Sequence, residues 1–279
     1  MRPILFEIPL PFFNTSIPIS SYGTMLSLSF LLGVSLAARD AERKGIDPNE
    51  YLTAAIYGMI FVILGARIFY ILQNWRSYSS NPWEIFALWR GGLVFYGGFL
   101  GGTIGVGIYV HLKGISVWKF LDASTPAIAL GLFFTRIGCF LNGCCYGRPT
   151  EIPWAVRFPR GSNAYYDEIE KGLITNSSDT SLPLHPVQLY ESLEGLLLFL
   201  IVFFYFRKHE SFDGQTFWSF TLVYSILRFF NEIFRGDDIR GYLWAPYLST
   251  SQAVGLLILP ISIGGLVYLR RQKTPPAVA

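Results

Sequence analysis

Hydrophobic positions fall into seven long runs separated by polar stretches. Each run approaches the roughly 20 residues that an α-helix needs to cross the hydrocarbon core of a bilayer. The runs cover residues 19–38, 52–72, 93–112, 120–141, 186–206, 216–234 and 253–269. The fourth and sixth are the least apolar, because they carry Asp122, Arg136, Arg228 and Glu232. Backbone polar groups in lipid must be satisfied within the segment, so each run is expected to be helical. The pattern predicts an all-α polytopic membrane protein with seven transmembrane helices, forming a single domain over residues 1–279. The longest stretch outside the runs, 143–185, holds Pro149, Pro153, Pro159, Pro183 and the turn-rich NSSDTS. It reads as a small water-facing cap, between spans 4 and 5, packed on the outer ends of the spans.

Seven spans put the termini on opposite sides, and cations in short loops mark the cytoplasmic one. Arg39, Arg43 and Lys44, then Lys113 and Lys119, then Arg207 and Lys208, then Arg270, Arg271 and Lys273 all belong to one side. The remaining cations outside the spans are spread over longer segments and mixed with acids. The expected topology is therefore N-terminus out and C-terminus in. The opening MRPILFEIPLPFF, with one cation, three prolines and a glutamate, does not read as a signal peptide. Composition agrees: charged residues make up only 15% of the 279 residues, against roughly 25% in an average soluble domain. A mean hydropathy of +0.40 leaves room for a polar part beside the spans. The net charge of +3 is too small and scattered for a nucleic-acid binder.

Ionisable side chains within spans cost about 2.5–3.5 kcal/mol each on insertion scales and usually face the protein interior. Arg67, Arg136 and Arg228 fall at similar depth near the outer ends of three spans, with Glu232 one turn beyond Arg228. Guanidiniums at one level point to an anion site, and phosphate fits their planar fork. The alternative is a neutralised structural set, with Arg228–Glu232 at i,i+4 and Glu232–Arg235 at i,i+3. Asn142, Glu191 and Gln252 lie near the same outer face. Gly97, Gly101 and Gly105 share one helical face, a signature of close helix packing in membranes. Gly91 and Gly92 permit a non-standard backbone just before Tyr96. His185, the only histidine expected on the outer side, precedes Pro186 at a helix start. Cys139, Cys144 and Cys145 lack zinc-type spacing and read as small packing residues, so no metal or cofactor is expected.

Four segments, RGGLVFYGG (90–98), RIGCFLNGCCYG (136–147), HPVQLYES (185–192) and RFFNEIFR (228–235), resemble those of bacterial prolipoprotein diacylglyceryl transferases. SYG at 21–23 and GARIFY at 65–70 fit as well, and the order and span count agree over nearly the whole chain. The resemblance implies a seven-span inner-membrane enzyme with a small periplasmic head and an active site towards the periplasm. It would move the diacylglyceryl group of phosphatidylglycerol onto the lipobox cysteine of a preprolipoprotein and release glycerol phosphate. By motif position Arg136 corresponds to the family's phosphatidylglycerol-binding arginine and Arg228 to its other essential arginine. Tyr22, Asn142, Gly147 and Tyr224 fall on further positions important to the family.

Two departures concern the base. Tyr96 stands where the best-known members have a histidine, and Cys139 and Cys144 replace an asparagine and a glutamate. A tyrosine with an ordinary pKa near 10 is a poor base. The expected catalytic set is thus Arg136 on the lipid phosphate, Arg228 on the leaving phosphate or incoming thiolate, and Tyr96 as a hydrogen-bonding orienter. Tyr22, Arg67, Asn142, Gly147, His185, Glu191, Tyr224 and Glu232 complete the expected substrate-binding set. The rival classes are an inactive or divergent paralogue and an anionic-solute transporter. A transporter would place its polar groups nearer the midplane.

Overall fold

Each of the seven apolar runs forms a helix in the computed structural model, which describes residues 2–10, 15–78, 82–87, 91–237, 241–244 and 248–272. The chain opens with strands β1 (Ile4–Leu10) and β2 (Thr15–Ser20), paired antiparallel with Ile8 opposite Ile17. Helices α1 (Ser21–Arg43) and α2 (Pro48–Gln73) follow, then the short α3 (Trp75–Tyr78), α4 (Phe95–Leu112) and α5 (Val117–Asn142). After α6 (Asn163–Glu170) come α7 (Val187–Phe204) and α8 (Gln215–Asn231), then β3 (Tyr242–Trp244), β4 (Leu248–Ser249) and α9 (Thr250–Gln272). The protein is predominantly helical rather than purely so. Alternating Ile4, Phe6 and Ile8 give the opening segment a period of two, which suits a strand better than a helix.

Among the described residues, α1, α2, α4, α5, α9 and the stretch Val187–Lys208 are six helical segments long and apolar enough to cross a membrane. Side chains such as Leu64, Leu193 and Leu257 are at least half exposed on these helices, which suits lipid rather than water as their surroundings. Lys273 lies outside the described residues.

Two compact units divide the chain: residues 36–124, and residues 1–35 with 125–279. Within the first, α2 starts on Asp47, whose carboxylate accepts from Asn49 N at 2.8 Å, with Pro48 in the first turn. The pair α2–α4 meets on the expected glycine face. A Cβ on Gly101 would stand 2.3 Å from Phe61 O, and one on Gly97 would stand 2.4 Å from Gly65 O. The in-span acid Asp122 is buried and paired with Lys44 Nζ at 3.4 Å.

In the second unit, Ala129, Leu198, Val202 and Phe220 form a core that joins α5, α7 and α8. Segment 143–185 has a core of its own from Tyr146, Phe158, Ala164 and Leu184. Short bridges at Pro149–Leu184 and Pro159–Thr180 hold its extended parts, and Ser162 caps α6. The Tyr146 hydroxyl donates to Asp167, which Lys171 approaches at 2.9 Å.

Candidate active site

The site begins where α7 crosses α5. A Cβ on Gly195 would stand 2.7 Å from Phe133 N and 3.0 Å from Leu132 Cβ, so only glycine allows this approach. Ser192 Oγ donates to Phe133 O at 3.1 Å and ties the crossing. Glu191 and Arg136 each lie four residues, or one turn, from Gly195 and Leu132. Arg136 Nε accordingly meets Glu191 Oε2 at 2.8 Å.

Two further guanidiniums reach the same carboxylate. Arg228, near the end of α8, brings Nη1 within 3.2 Å of Glu191 Oε1 and 2.9 Å of Glu232 Oε2. Its Nη2 donates to Ser251 Oγ at 3.2 Å. Beyond α8 a single 3₁₀ turn ends at Arg235, where the backbone becomes extended (φ −72°, ψ 139°). That change sends the Arg235 side chain to Glu191 Oε2 at 3.3 Å and, bidentately at 2.8 Å on both bonds, to Asp237. Burial pushes the Asp237 carboxyl above its ordinary range, opposed by Arg235. Three arginines are thus matched by three carboxylates, Glu191, Glu232 and Asp237, and Glu191 is the shared one.

A narrow cleft opens beside this cluster, with Arg136, Glu191, Glu194, Tyr224, Arg228 and Asn231 among its lining. Asn231 donates to Glu194, and Tyr224 stacks on Phe220 with an interplanar angle of 8°. Arg136 differs from its neighbours: only its Nε is engaged, and neither terminal nitrogen has a partner among the described residues. A planar fork with two vacant donors, lining a cleft next to a neutralised charge cluster, is fit to receive two oxygens of one phosphate.

The other expected residues divide by location. Tyr22 lies within electrostatic range of Arg136 and the cysteines, and Asn142 within hydrogen-bonding range of Cys144. Gly147 donates its N–H to His185 O at 3.1 Å, and a Cβ there would stand 2.6 Å from that oxygen. His185 Nδ1 faces Tyr190 Oη at 3.3 Å, and its ring packs on Phe234. Gln252 accepts from Ser249 N at 3.1 Å at the start of α9.

Arg67 and Tyr96 belong to the other unit. The buried Arg67 donates from Nε to Ile85 O at 2.9 Å, from Nη1 to Gly91 O and Gly92 O, and from Nη2 to Glu84 O and Ala87 O. All its donors are taken by backbone carbonyls, an arrangement that fixes a loop and leaves no fork for an anion. Gly91 and Gly92 both adopt φ +79°, in keeping with the non-standard backbone expected of them. Tyr96 is 66% exposed on α4.

Arg235, Asp237, Glu194 and Asn231 were not singled out from the sequence. Arg235 was visible only as an i,i+3 partner of Glu232, a relation that holds while a helix continues. The cysteines also depart from a scattered packing role: the three sulfurs lie within 4.8 Å of one another.

The family profile for prolipoprotein diacylglyceryl transferase matches residues 5–268, which include both units and every residue of the cluster. The chain belongs to the prolipoprotein diacylglyceryl transferase family. Relatives named phosphatidylglycerol–prolipoprotein diacylglyceryl transferase include that of Clostridium tetani, 36% identical over 94% of this chain and 96% of the relative. That of Geobacter sulfurreducens is 36% identical over 91% and 92%. That of Thermus thermophilus is 34% identical over 90% and 93%. As a member of this transferase family, the chain is a multi-pass membrane enzyme.

Proposed function

We propose that this protein transfers the sn-1,2-diacylglyceryl group of phosphatidylglycerol to the thiol of the lipobox cysteine of preprolipoproteins and releases glycerol phosphate. The observation that carries this reading is the vacant terminal fork of Arg136 on the cleft, in a chain whose relatives bear that activity in their names. The peptide thiolate attacks the glyceryl carbon and forms the C–S bond. The C–O bond to phosphate breaks, and its electron pair leaves on the phosphate oxygen. Charge on the phosphate grows from one to two units, so donors aimed at it stabilise the transition state more than the ground state.

Arg136 takes two phosphate oxygens. Arg228 adds positive charge at the same cleft while Glu191, Glu232 and Ser251 hold its terminal nitrogens in place. Tyr224 and Asn231 border the bound lipid, and Tyr22, Asn142, Gly147 and His185 shape the neighbouring loop. Tyr96 orients the acceptor peptide. Arg67 acts through the loop it holds rather than by touching lipid. The protein is read as a seven-span protein of the bacterial inner membrane, N-terminus out and C-terminus in. Segment 143–185 is its periplasmic head, and the active site opens to the periplasmic side.

The test is direct. Purified protein is incubated with phosphatidylglycerol and a lipobox peptide, and mass spectrometry follows the peptide. A mass increase of one diacylglyceryl group is expected with wild type and is lost with Arg136→Ala. No adduct with wild type, under conditions where the Clostridium tetani relative forms one, would sink the proposal.

A further inference from the structure

A thiol attacks mainly as thiolate, so the acceptor cysteine must lose its proton before the C–S bond forms. Glu191 is committed to three guanidiniums. Among the described residues no histidine lines the cleft, and His185 is turned to Tyr190.

The phosphate chemistry leaves one group of reactive side chains unused. Cys139 sits in the last turn of α5, and Cys144 and Cys145 follow that helix, with all three sulfurs within 4.8 Å of one another. The backbone between them is turned to achieve this. Gly143 adopts φ +74°, Cys144 N donates to Cys139 O at 3.2 Å, and Cys145 adopts φ +61°, a left-handed conformation uncommon for any residue but glycine. Gln188, fully buried in the first turn of α7, supports the loop by donating Nε2 to Cys144 O at 2.8 Å. Its Oε1 is buried with no donor among the described residues. A buried acceptor without a donor calls for a water or an ion-bound group beside it.

Three thiols are more than one disulfide uses, and packing alone does not call for a left-handed cysteine. Zinc–sulfur bonds of about 2.3 Å in a tetrahedron set the sulfurs about 3.8 Å apart, so a contraction of no more than about 1 Å completes the geometry. Among the described residues no fourth cysteine, histidine or carboxylate joins the group. Structural zinc sites are closed by four protein ligands, whereas three ligands and an open position are the catalytic arrangement. Arg136 and Arg235 stand within electrostatic range of Cys145, where they offset the excess negative charge of three thiolates on one dication.

We propose that Cys139, Cys144 and Cys145 bind zinc as thiolates and leave its fourth position to the thiol of the acceptor peptide. The metal site stands on the cysteines alone; its occupant rests on the transfer reading above. On binding, the peptide S–H proton passes to water and a Zn–S bond forms, since a metal-bound thiol is deprotonated outright. That sulfur then attacks the glyceryl carbon, the C–O bond breaks towards phosphate, and the product thioether leaves the metal. No electron transfer is involved, and no general base is needed.

The experiment uses the full chain in lipid nanodiscs, reduced, equilibrated with zinc and freed of excess metal. Elemental analysis should find one zinc per chain in wild type and background levels in Cys144→Ser and Cys145→Ser. Wild type loaded with cobalt should show the sulfur-to-metal charge-transfer absorption. Adding a cysteine-containing lipobox peptide should change that absorption, whereas its serine analogue should leave it unchanged, a readout that requires no variant to fold. Stripping the metal should abolish adduct formation and zinc should restore it. Full-rate transfer by metal-free protein, or no metal uptake with all three thiols titrated as reduced, would overturn the proposal while leaving the transfer reading intact. Zinc bound by the three thiols with no adduct formed under any condition would instead count against the transfer reading and leave the metal site standing.

Discussion

Glu191 and Arg136 occupy one ion pair but are expected to fail in different ways when removed. Glu191 is 6% exposed and shared by three guanidiniums. Glu191→Ala therefore leaves the Arg136 guanidinium without its carboxylate, while Arg228 keeps Glu232 and Arg235 keeps Asp237. Breaking a buried pair in this manner costs about 3–5 kcal/mol. A large fall in thermal unfolding temperature in detergent is expected, together with loss of transfer. Arg136→Ala leaves Glu191 with Arg228 and Arg235, so the unfolding temperature should hardly move. Its transfer rate should fall about 10²–10³-fold, the usual loss when one donor to developing charge is removed. Equal destabilisation by the two variants would contradict the assignment of Arg136 as the ligand and Glu191 as its anchor. Arg136, Arg228 and Glu191 were legible singly, because a charge in an apolar run is conspicuous. Their convergence was not, since it depends on where Gly195 lets α7 cross α5. Arg67 was equally conspicuous, yet its partners are backbone carbonyls that no residue pattern announces.

At the scale of elements, the α2–α4 pair is the clearest case in which pattern and packing agree. The four-residue glycine spacing did lie on the contact face, with Gly101 nearest the partner backbone. Gly101→Leu must push the two helices apart, because the obstacle is Phe61 O and not a movable side chain. A loss of about 1–3 kcal/mol is expected, measurable as a lowered unfolding temperature. Gly107→Leu, which has open space, serves as the control. The 143–185 segment was recognisable as a water-facing cap from its prolines, but its internal bonds were not. Burial and then the bond to Asp167 hold the Tyr146 hydroxyl above its ordinary pKa. Burial opposes ionisation of Asp167, yet Tyr146 and Lys171 outweigh it and hold that carboxyl below its ordinary value. The tyrosine contribution is complete below its unfolded value of 10.0 and fades as pH rises through and beyond it. The aspartate contribution is complete above its unfolded value of 3.8 and fades as pH falls below it. The pair thus supports the cap across the window between. Tyr146→Phe should lower cap stability within that window by about 1 kcal/mol, allowing for solvent screening. Proteolysis or hydrogen exchange of 143–185 at pH 7 measures it.

For the molecule as a whole, whether α8 crosses the membrane decides which side each terminus occupies. By itself α8 is short, at 17 residues, and it ends in polar side chains. Its α-helical length is about 26 Å, and the three-residue 3₁₀ turn Glu232–Phe234 adds about 6 Å, enough for a hydrocarbon core of about 30 Å. The ion pairs argue in the same direction. Glu191 lies in the first turns of α7, Arg228 near the last turn of α8, and Ser251 at the start of α9. Arg228 touches both of the others, so the end of α8 lies level with the starts of α7 and α9. α8 must therefore run back along α7 to the level from which α7 set out. With α7 and α9 long enough to span, this favours seven crossings and termini on opposite sides. The cations at Arg207–Lys208, after α7, and Arg270–Arg271, at the end of α9, then lie at the same end of this unit, the end expected to be cytoplasmic. Single cysteines introduced into a cysteine-free variant, probed in intact cells with an impermeant maleimide, decide it. Positions near residue 5 and in 172–178 should label from outside. Positions 114, 209 and 272 should label only after the membrane is opened. Labelling of residues 5 and 272 from the same side would remove α8 from the spans and reverse the topology assigned to one terminus.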